Sequence, residues 1–133
     1  MIRIEHIGIA VDNLPSAIEL YEQLLNSPCY KTETVESEQV STAFFKVGAS
    51  KIELLEANHP DSAIAKFIAK KGQGIHHIAY EVENIQAEMK RLEALGFELL
   101  NKEPKRGADN KLVCFLHPKT SGGVLVELCQ EIV

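Results

Sequence analysis

The chain has few aromatic residues and no excess of positive charge. Aromatic side chains make up 6% of its 133 residues, and 14 basic residues stand against 19 acidic ones, which gives a net charge of −5. Broad nucleic-acid and membrane surfaces need a positive excess, so this composition argues against both and favours small partners. The hydrophobic content of 45% is still sufficient for the core of about one ordinary domain.

Paired cysteines and long apolar segments are also missing. The three cysteines, Cys29, Cys114 and Cys129, are odd in number and none lies in a CxxC pair. This pattern fits buried thiols in a reducing compartment rather than disulfides. The first residues show no basic segment followed by a long apolar run, and no stretch reaches membrane-spanning length. We therefore expect a soluble, cytoplasmic protein.

An internal repeat organises the chain. Residues 6–14 align without gaps with residues 77–85, and the alignment preserves a histidine, the apolar positions, an acid and an asparagine. A second pair of segments, 51–56 and 125–130, resemble each other at an offset that is three residues larger. Each copy therefore contributes one histidine near its start and one glutamate near its end.

Both copies predict the same order of secondary structure. Asn13 and Asn84 suit helix N-caps, and apolar residues follow each of them at helical spacing. Asp61 and Ser62 predict the start of a further helix that ends near Gly72. Apolar runs between turn residues predict the remaining strands, at residues 29–35, 40–47 and 51–56 in the first copy and at 97–102, 112–117 and 124–129 in the second.

We therefore predict an α+β fold built from two tandem βαβββ modules. Module one covers about residues 1–57, the connector helix about 60–72 and module two about 74–133, all within a single domain of residues 1–133. Because side chains alternate along a strand, His6 is expected to share a face with Gly8 and Ala10. The intervening apolar residues are expected to face a core that is covered by a helix.

Two glutamates interrupt strands that are otherwise apolar. Glu53 and Glu127 are costly to bury without a partner. Taken alone, either glutamate is more simply interpreted as a surface residue. Because the chain is duplicated, equivalent positions of the two modules are expected to come together, which would line one cavity with two imidazoles and two carboxylates. Such a set suits one divalent ion that also binds exchangeable waters. His76 competes with His77 as the second imidazole, but only His77 aligns with His6. No cysteine has the spacing of a structural zinc site.

Several motifs together carry a resemblance to a known family. Residues 5–11, 51–56, 61–68, 74–82, 103–105, 115–119 and 123–128, which include GIHHIAYEV and FLHPK, resemble the vicinal oxygen chelate superfamily. That superfamily includes glyoxalase I, extradiol dioxygenases, fosfomycin-resistance enzymes and methylmalonyl-CoA epimerases, and these motifs are most similar to those of the epimerases. The resemblance implies a glyoxalase-like fold with a metal-holding sheet cavity, and a homodimer.

The resemblance also implies a ligand set and a reaction. His6, Glu53, His77 and Glu127 match the ligand positions for one divalent ion per chain, which is cobalt, manganese, zinc or a similar metal. The implied reaction interconverts (2R)- and (2S)-methylmalonyl-CoA by α-proton abstraction through a metal-stabilised enolate, with Glu127 and Glu53 as the acid/base candidates. Some relatives carry a further glutamate as the proposed base on the strand before Glu53, where residues 40–45 here read VSTAFF.

A basic segment is a candidate for binding the CoA phosphates. Residues 102–119 contain five basic and two acidic residues, and Lys105, Arg106 and Lys119 are the predicted contacts. Solvated loop charges are an equal alternative for any single residue. Two rival functions stay open: a glyoxalase I-type lyase, which uses the same metal set, and a non-catalytic ligand-binding protein of the same fold.

Overall fold

A computed structural model describes residues 1–133 and contains eight strands and three α-helices. The helices are α1 (Leu14–Leu25), α2 (Ala63–Lys71) and α3 (Ile85–Ala94). The strands are β1 (Arg3–Ala10), β2 (Lys31–Val35), β3 (Val40–Val47), β4 (Ser50–Ala57), β5 (Gly74–Glu81), β6 (Lys105–Gly107), β7 (Lys111–Leu116) and β8 (Val126–Glu131). None of the helices is long and apolar enough to cross a membrane.

The chain divides into two compact units. One comprises His6–His76, and the other comprises Met1–Glu5 together with His77–Val133. The N-terminal residues are joined to the second unit by a backbone bond from Ile2 to Glu81, of 2.8 Å, and by an ion pair between Arg3 and Glu81. The assignment of the whole chain to a single domain stays a prediction.

The first unit has the strand order β2-β3-β4-β1. β3 pairs with β2 and β4 in antiparallel fashion, and β1 runs parallel to β4. Neighbouring residues of a strand point to opposite faces. One face packs a core against α1, and the other packs a smaller core against α2, as their buried residues show: Val11, Leu14, Ala17, Ala43, Phe45 and Leu54 on the first, Ala10, Val40, Leu55 and Ile64 on the second.

The second unit repeats this arrangement with the order β5-β8-β7-β6. β5 is parallel to β8, whereas β7 is antiparallel to both β8 and β6. Helix α3 covers one face, where the buried core consists of Val82, Ile85, Met89, Leu92, Cys114, Leu116 and Leu128. The opposite face carries a smaller group of Ala79, Val113, Cys129 and Phe115. The predicted α+β fold and the duplicated order of its elements are therefore confirmed.

The helix starts agree with the sequence. Asn13 and Asn84 each accept a bond from a backbone amide three residues later at 3.0 Å, which satisfies a donor that the first turn leaves orphaned. Ser62 caps α2 in the same way through Ala65 at 3.1 Å, and Gly72 lies at the end of that helix. All three predicted N-termini are confirmed.

The strand predicted at residues 97–102 is wrong. This segment forms only an isolated bridge at Leu99, and the edge strand β6 forms a few residues later. Backbone bonds of 2.8 Å join Leu100 to Phe115 and His117 to Glu98, and beyond them the side chain of Asn101 bonds the backbone of β7. Its Oδ1 accepts from the amide of Phe115 at 3.0 Å, and its Nδ2 donates to the carbonyl of Val113 at 3.2 Å.

Candidate metal centre

A histidine and a glutamate meet inside the first unit. The Nε2 atom of His6 lies 3.2 Å from Oε1 of Glu53, and the two residues are only 6% and 4% exposed. Gly8 lies opposite Glu53 in the parallel ladder of β1 and β4. Because Gly8 has no side chain, the Glu53 carboxylate has room to extend along the sheet face to the imidazole.

The second unit contains the equivalent pair. Nε2 of His77 lies 3.3 Å from Oε1 of Glu127, and these residues are 3% and 6% exposed. Ala79, a small and fully buried residue, lies opposite Glu127 in the ladder of β5 and β8. The interpretation of these glutamates as surface residues is therefore set aside, since both carboxylates are buried beside an imidazole.

The donors in each pair suit a metal ion. The imidazoles of His6 and His77 and the carboxylate of Glu127 are buried groups of the kind that hold one. Two donors bound at about 2.1 Å to the same ion, about 90–109° apart, stand about 3.0–3.4 Å from each other. The separations within the two His–Glu pairs fall in this range. Nitrogen and carboxylate donors together fit the borderline and hard divalent ions.

The neighbouring histidine has a different environment. The ring of His76 packs edge-on against Phe67 of α2, with 4.9 Å between the ring centroids. Loss of solvent lowers the pKa of His76 to about 4, because burial disfavours the protonated imidazole. Of the two adjacent histidines, His77 is the one that lies beside a buried carboxylate.

An aromatic ring lies opposite each glutamate on the neighbouring antiparallel strand. Phe44 of β3 is opposite Glu53, and Phe115 of β7 is opposite Glu127. The Phe115 ring also meets His77 edge-on, with 5.8 Å between the centroids. Each carboxylate therefore has an apolar neighbour across the ladder, and an apolar surrounding strengthens the electrostatic interactions of a buried carboxylate.

No acidic residue is present on β3, where some relatives carry a proposed base. Thr42 is fully buried there, and its hydroxyl donates to the carbonyl of Glu33 at 3.3 Å. A threonine hydroxyl is not a base near neutral pH. Within the first unit, Glu53 is therefore the carboxylate that stands beside the candidate donor histidine.

The predicted CoA-binding residues occupy different environments. Lys105 and Arg106 are exposed on β6, and the Lys105 ammonium lies 6.0 Å from the centroid of the Phe115 ring. Lys119 instead forms an exposed ion pair of 3.0 Å with Glu98. Lys111 belongs to the basic segment but was not among the predicted contacts, and it is buried with its ammonium 3.9 Å from Asp109. Its place on β7 could not be recognised without the register of that strand.

Comparison with known protein families identifies the superfamily of this chain. The model of the Glyoxalase/Bleomycin resistance protein/Dioxygenase superfamily matches residues 5–115, and the chain belongs to this superfamily.

Within this superfamily, the chain is similar to curated relatives and solved structures that are epimerases of acyl-CoA substrates. The human mitochondrial methylmalonyl-CoA epimerase is 42% identical over 96% of this chain and 73% of its own length. The ethylmalonyl-CoA/methylmalonyl-CoA epimerase of Cereibacter sphaeroides is 42% identical over 96% of this chain and 97% of its own. A methylmalonyl-CoA epimerase solved with methylmalonyl-CoA and ammonium superposes with a TM-score of 0.96 at 37% identity, covering 100% of this chain and 96% of the other.

Proposed function

We propose that this chain is a metal-dependent methylmalonyl-CoA epimerase that interconverts the (2R) and (2S) forms of its substrate. The similarity to epimerases over nearly the whole chain carries the proposal. The buried His–Glu pair in each unit supports it, because these groups suit the chemistry that the reaction requires.

The reaction requires a group that removes a proton and a group that returns one on the opposite face. The α-carbon of methylmalonyl-CoA lies between a thioester and a carboxylate, so the main barrier is the negative charge that develops when its proton leaves. A duplicated chain offers one carboxylate from each copy. We assign the two acid/base roles to Glu127 and Glu53, the buried carboxylate of each His–Glu pair.

We further propose that His6, Glu53, His77 and Glu127 together hold one divalent ion, such as cobalt, manganese or zinc. A bound divalent ion supplies Lewis-acid stabilisation of the charge that develops on the substrate, an effect of several kcal/mol. The donor chemistry and the His–Glu separations support this ligand set. Glu53 and Glu127 would both hold the ion and serve as the groups that exchange the substrate proton.

Positive residues of the second unit are proposed to bind the CoA moiety. Lys105 is the best placed of them, because the ring that it contacts lies opposite Glu127. Arg106 is exposed on the same strand. Lys119 has to leave Glu98 before it binds a phosphate, but exposed ion pairs are weak and exchange readily.

We also propose that the protein is a homodimer in the cytoplasm. Light scattering of the purified protein tests its oligomeric state.

A substrate panel tests the proposed activity. Purified protein loaded with cobalt or manganese is assayed with (2S)-methylmalonyl-CoA and, separately, with the hemithioacetal of methylglyoxal and glutathione. We expect (2S)-methylmalonyl-CoA to epimerise and the hemithioacetal to remain unchanged. Turnover of the hemithioacetal alone would establish a glyoxalase I-type lyase. Tight binding of either compound without turnover would establish a non-catalytic ligand-binding protein, and both results would overturn the proposal.

A further inference from the structure

In the first unit an ammonium group lies over the aromatic ring that neighbours Glu53. The Nζ atom of Lys31 is 5.5 Å from the centroid of the Phe44 ring. Lys31 lies opposite Phe44 in the antiparallel ladder, and Phe44 lies opposite Glu53 in the next ladder. Residues that are directly opposite in an antiparallel pair project from the same face. The ammonium, the ring and the carboxylate are therefore arranged in sequence across one sheet face.

The second unit contains a similar contact in a different register. Lys105 Nζ lies 6.0 Å from the centroid of Phe115, and Phe115 lies opposite Glu127, but Lys105 itself is opposite Val113, two residues away from Phe115. Lys31 is the first residue of β2 and Lys105 is the first residue of β6, and each of these strands ends the strand order of its unit. A lysine ammonium near the phenylalanine that faces the glutamate is therefore found in both copies, although the two lysines reach the ring from different register positions.

The local environment favours an anionic ligand at Lys31. A ring face attracts an ammonium through its quadrupole and does not consume a hydrogen-bond donor. The Phe44 ring is 1% exposed, so the ammonium is held over a dry surface, while the Lys31 side chain itself is 38% exposed and accessible to a ligand. Glu33 lies 3.5 Å from the ammonium, but exposed pairs of this kind are weak competitors for a dianionic or polyanionic ligand.

We propose that Lys31 binds an anionic group of the acyl-CoA substrate, a carboxylate or a phosphate, and is the counterpart in the first unit of Lys105 in the second. The proposal rests on the proposed function, since the acyl-CoA ligand comes from there. Lys31 orients the substrate and takes no part in proton transfer. Its loss is therefore expected to weaken binding and to leave the rate of the bound complex nearly unchanged.

Matched lysine variants test this role. Lys31→Met keeps an unbranched side chain on Phe44 and removes the charge, whereas Lys31→Arg keeps the charge. Lys90→Met makes the same charge change at an exposed position of α3 and is the control. We expect Lys31→Met to raise the KM for methylmalonyl-CoA about tenfold with kcat within about twofold, because a charge-assisted hydrogen bond is worth about that factor. Lys31→Arg and Lys90→Met should stay near the parent, with all melting temperatures alike.

The source of the anion is determined with truncated ligands. The parent and Lys31→Met are compared for binding of methylmalonyl-CoA, of free CoA and of the methylmalonyl thioester of N-acetylcysteamine, which has a carboxylate but no phosphate. Weakened binding of free CoA identifies a phosphate contact, and weakened binding of the short thioester identifies a carboxylate contact; either supports the proposal. Equal affinities of both proteins for all three ligands overturn it. If the parent binds none of them and epimerises nothing, the proposed function itself fails.

Discussion

The side chain of Asn101 is predicted to stabilise the second unit by more than a surface asparagine does. It makes three hydrogen bonds to the backbone, to Phe115 at 3.0 Å, Val113 at 3.2 Å and Glu103 at 2.7 Å. A hydrogen bond contributes about 0.5–1.5 kcal/mol net, and a buried group left without its partner costs more than the mean. Asn101→Ala should therefore lower the free energy of unfolding by about 2–4 kcal/mol.

Urea denaturation followed by circular dichroism measures this loss. The control is Asn58→Ala, because Asn58 bonds only the hydroxyl of Ser41 through an exposed side chain and should lose less than about 1 kcal/mol. Hydrogen exchange at the amide of Phe115 should become faster in Asn101→Ala, since that amide loses its acceptor. Equal stability losses in the two variants, or unchanged exchange at Phe115, would show that the Asn101 side chain does not stabilise the second unit through these hydrogen bonds.

Two further predictions concern the glutamate and the thiols. Glu127→Gln should lower kcat for epimerisation about 10²–10⁴-fold while metal analysis still finds partial occupancy, since the amide oxygen remains a neutral ligand; unchanged turnover would remove Glu127 from the mechanism. Burial raises the pKa of Cys114 to about 11 and raises that of Cys129 as well, so a thiol reagent at pH 8 should modify neither in the native protein. All three cysteines should react after denaturation, and rapid modification of Cys114 or Cys129 in the folded chain would contradict their burial.

The sequence repeat predicted the parts of the structure that depend on local patterns. Asn13 and Asn84 precede apolar residues at helical spacing, so both caps could be recognised without knowledge of the fold. The buried glutamates could also be recognised, because a charge within an apolar strand needs a partner. The repeat selected His77 over His76 as the candidate ligand. The structure places His77 beside Glu127.

Contacts that depend on register could not be predicted in this way. Residues 97–102 have a strand-like composition, but they form a single bridge at Leu99, beside which the side chain of Asn101 bonds the backbone of β7. The contact between Lys31 and Phe44 requires the alignment of β2 with β3, which composition does not determine. An asparagine at the end of an apolar run was the available signal for the first case. Nothing in the sequence indicated the second.

The most direct test of metal-dependent epimerisation is exchange of the substrate α-proton. The protein is incubated with methylmalonyl-CoA in deuterium oxide, and loss of the α-proton signal is followed by NMR before chelation, after removal of metal and after cobalt or manganese is restored. We predict exchange that stops on chelation and returns with the metal. Exchange that continues at the same rate in metal-free protein, or that never occurs with metal present, would contradict it.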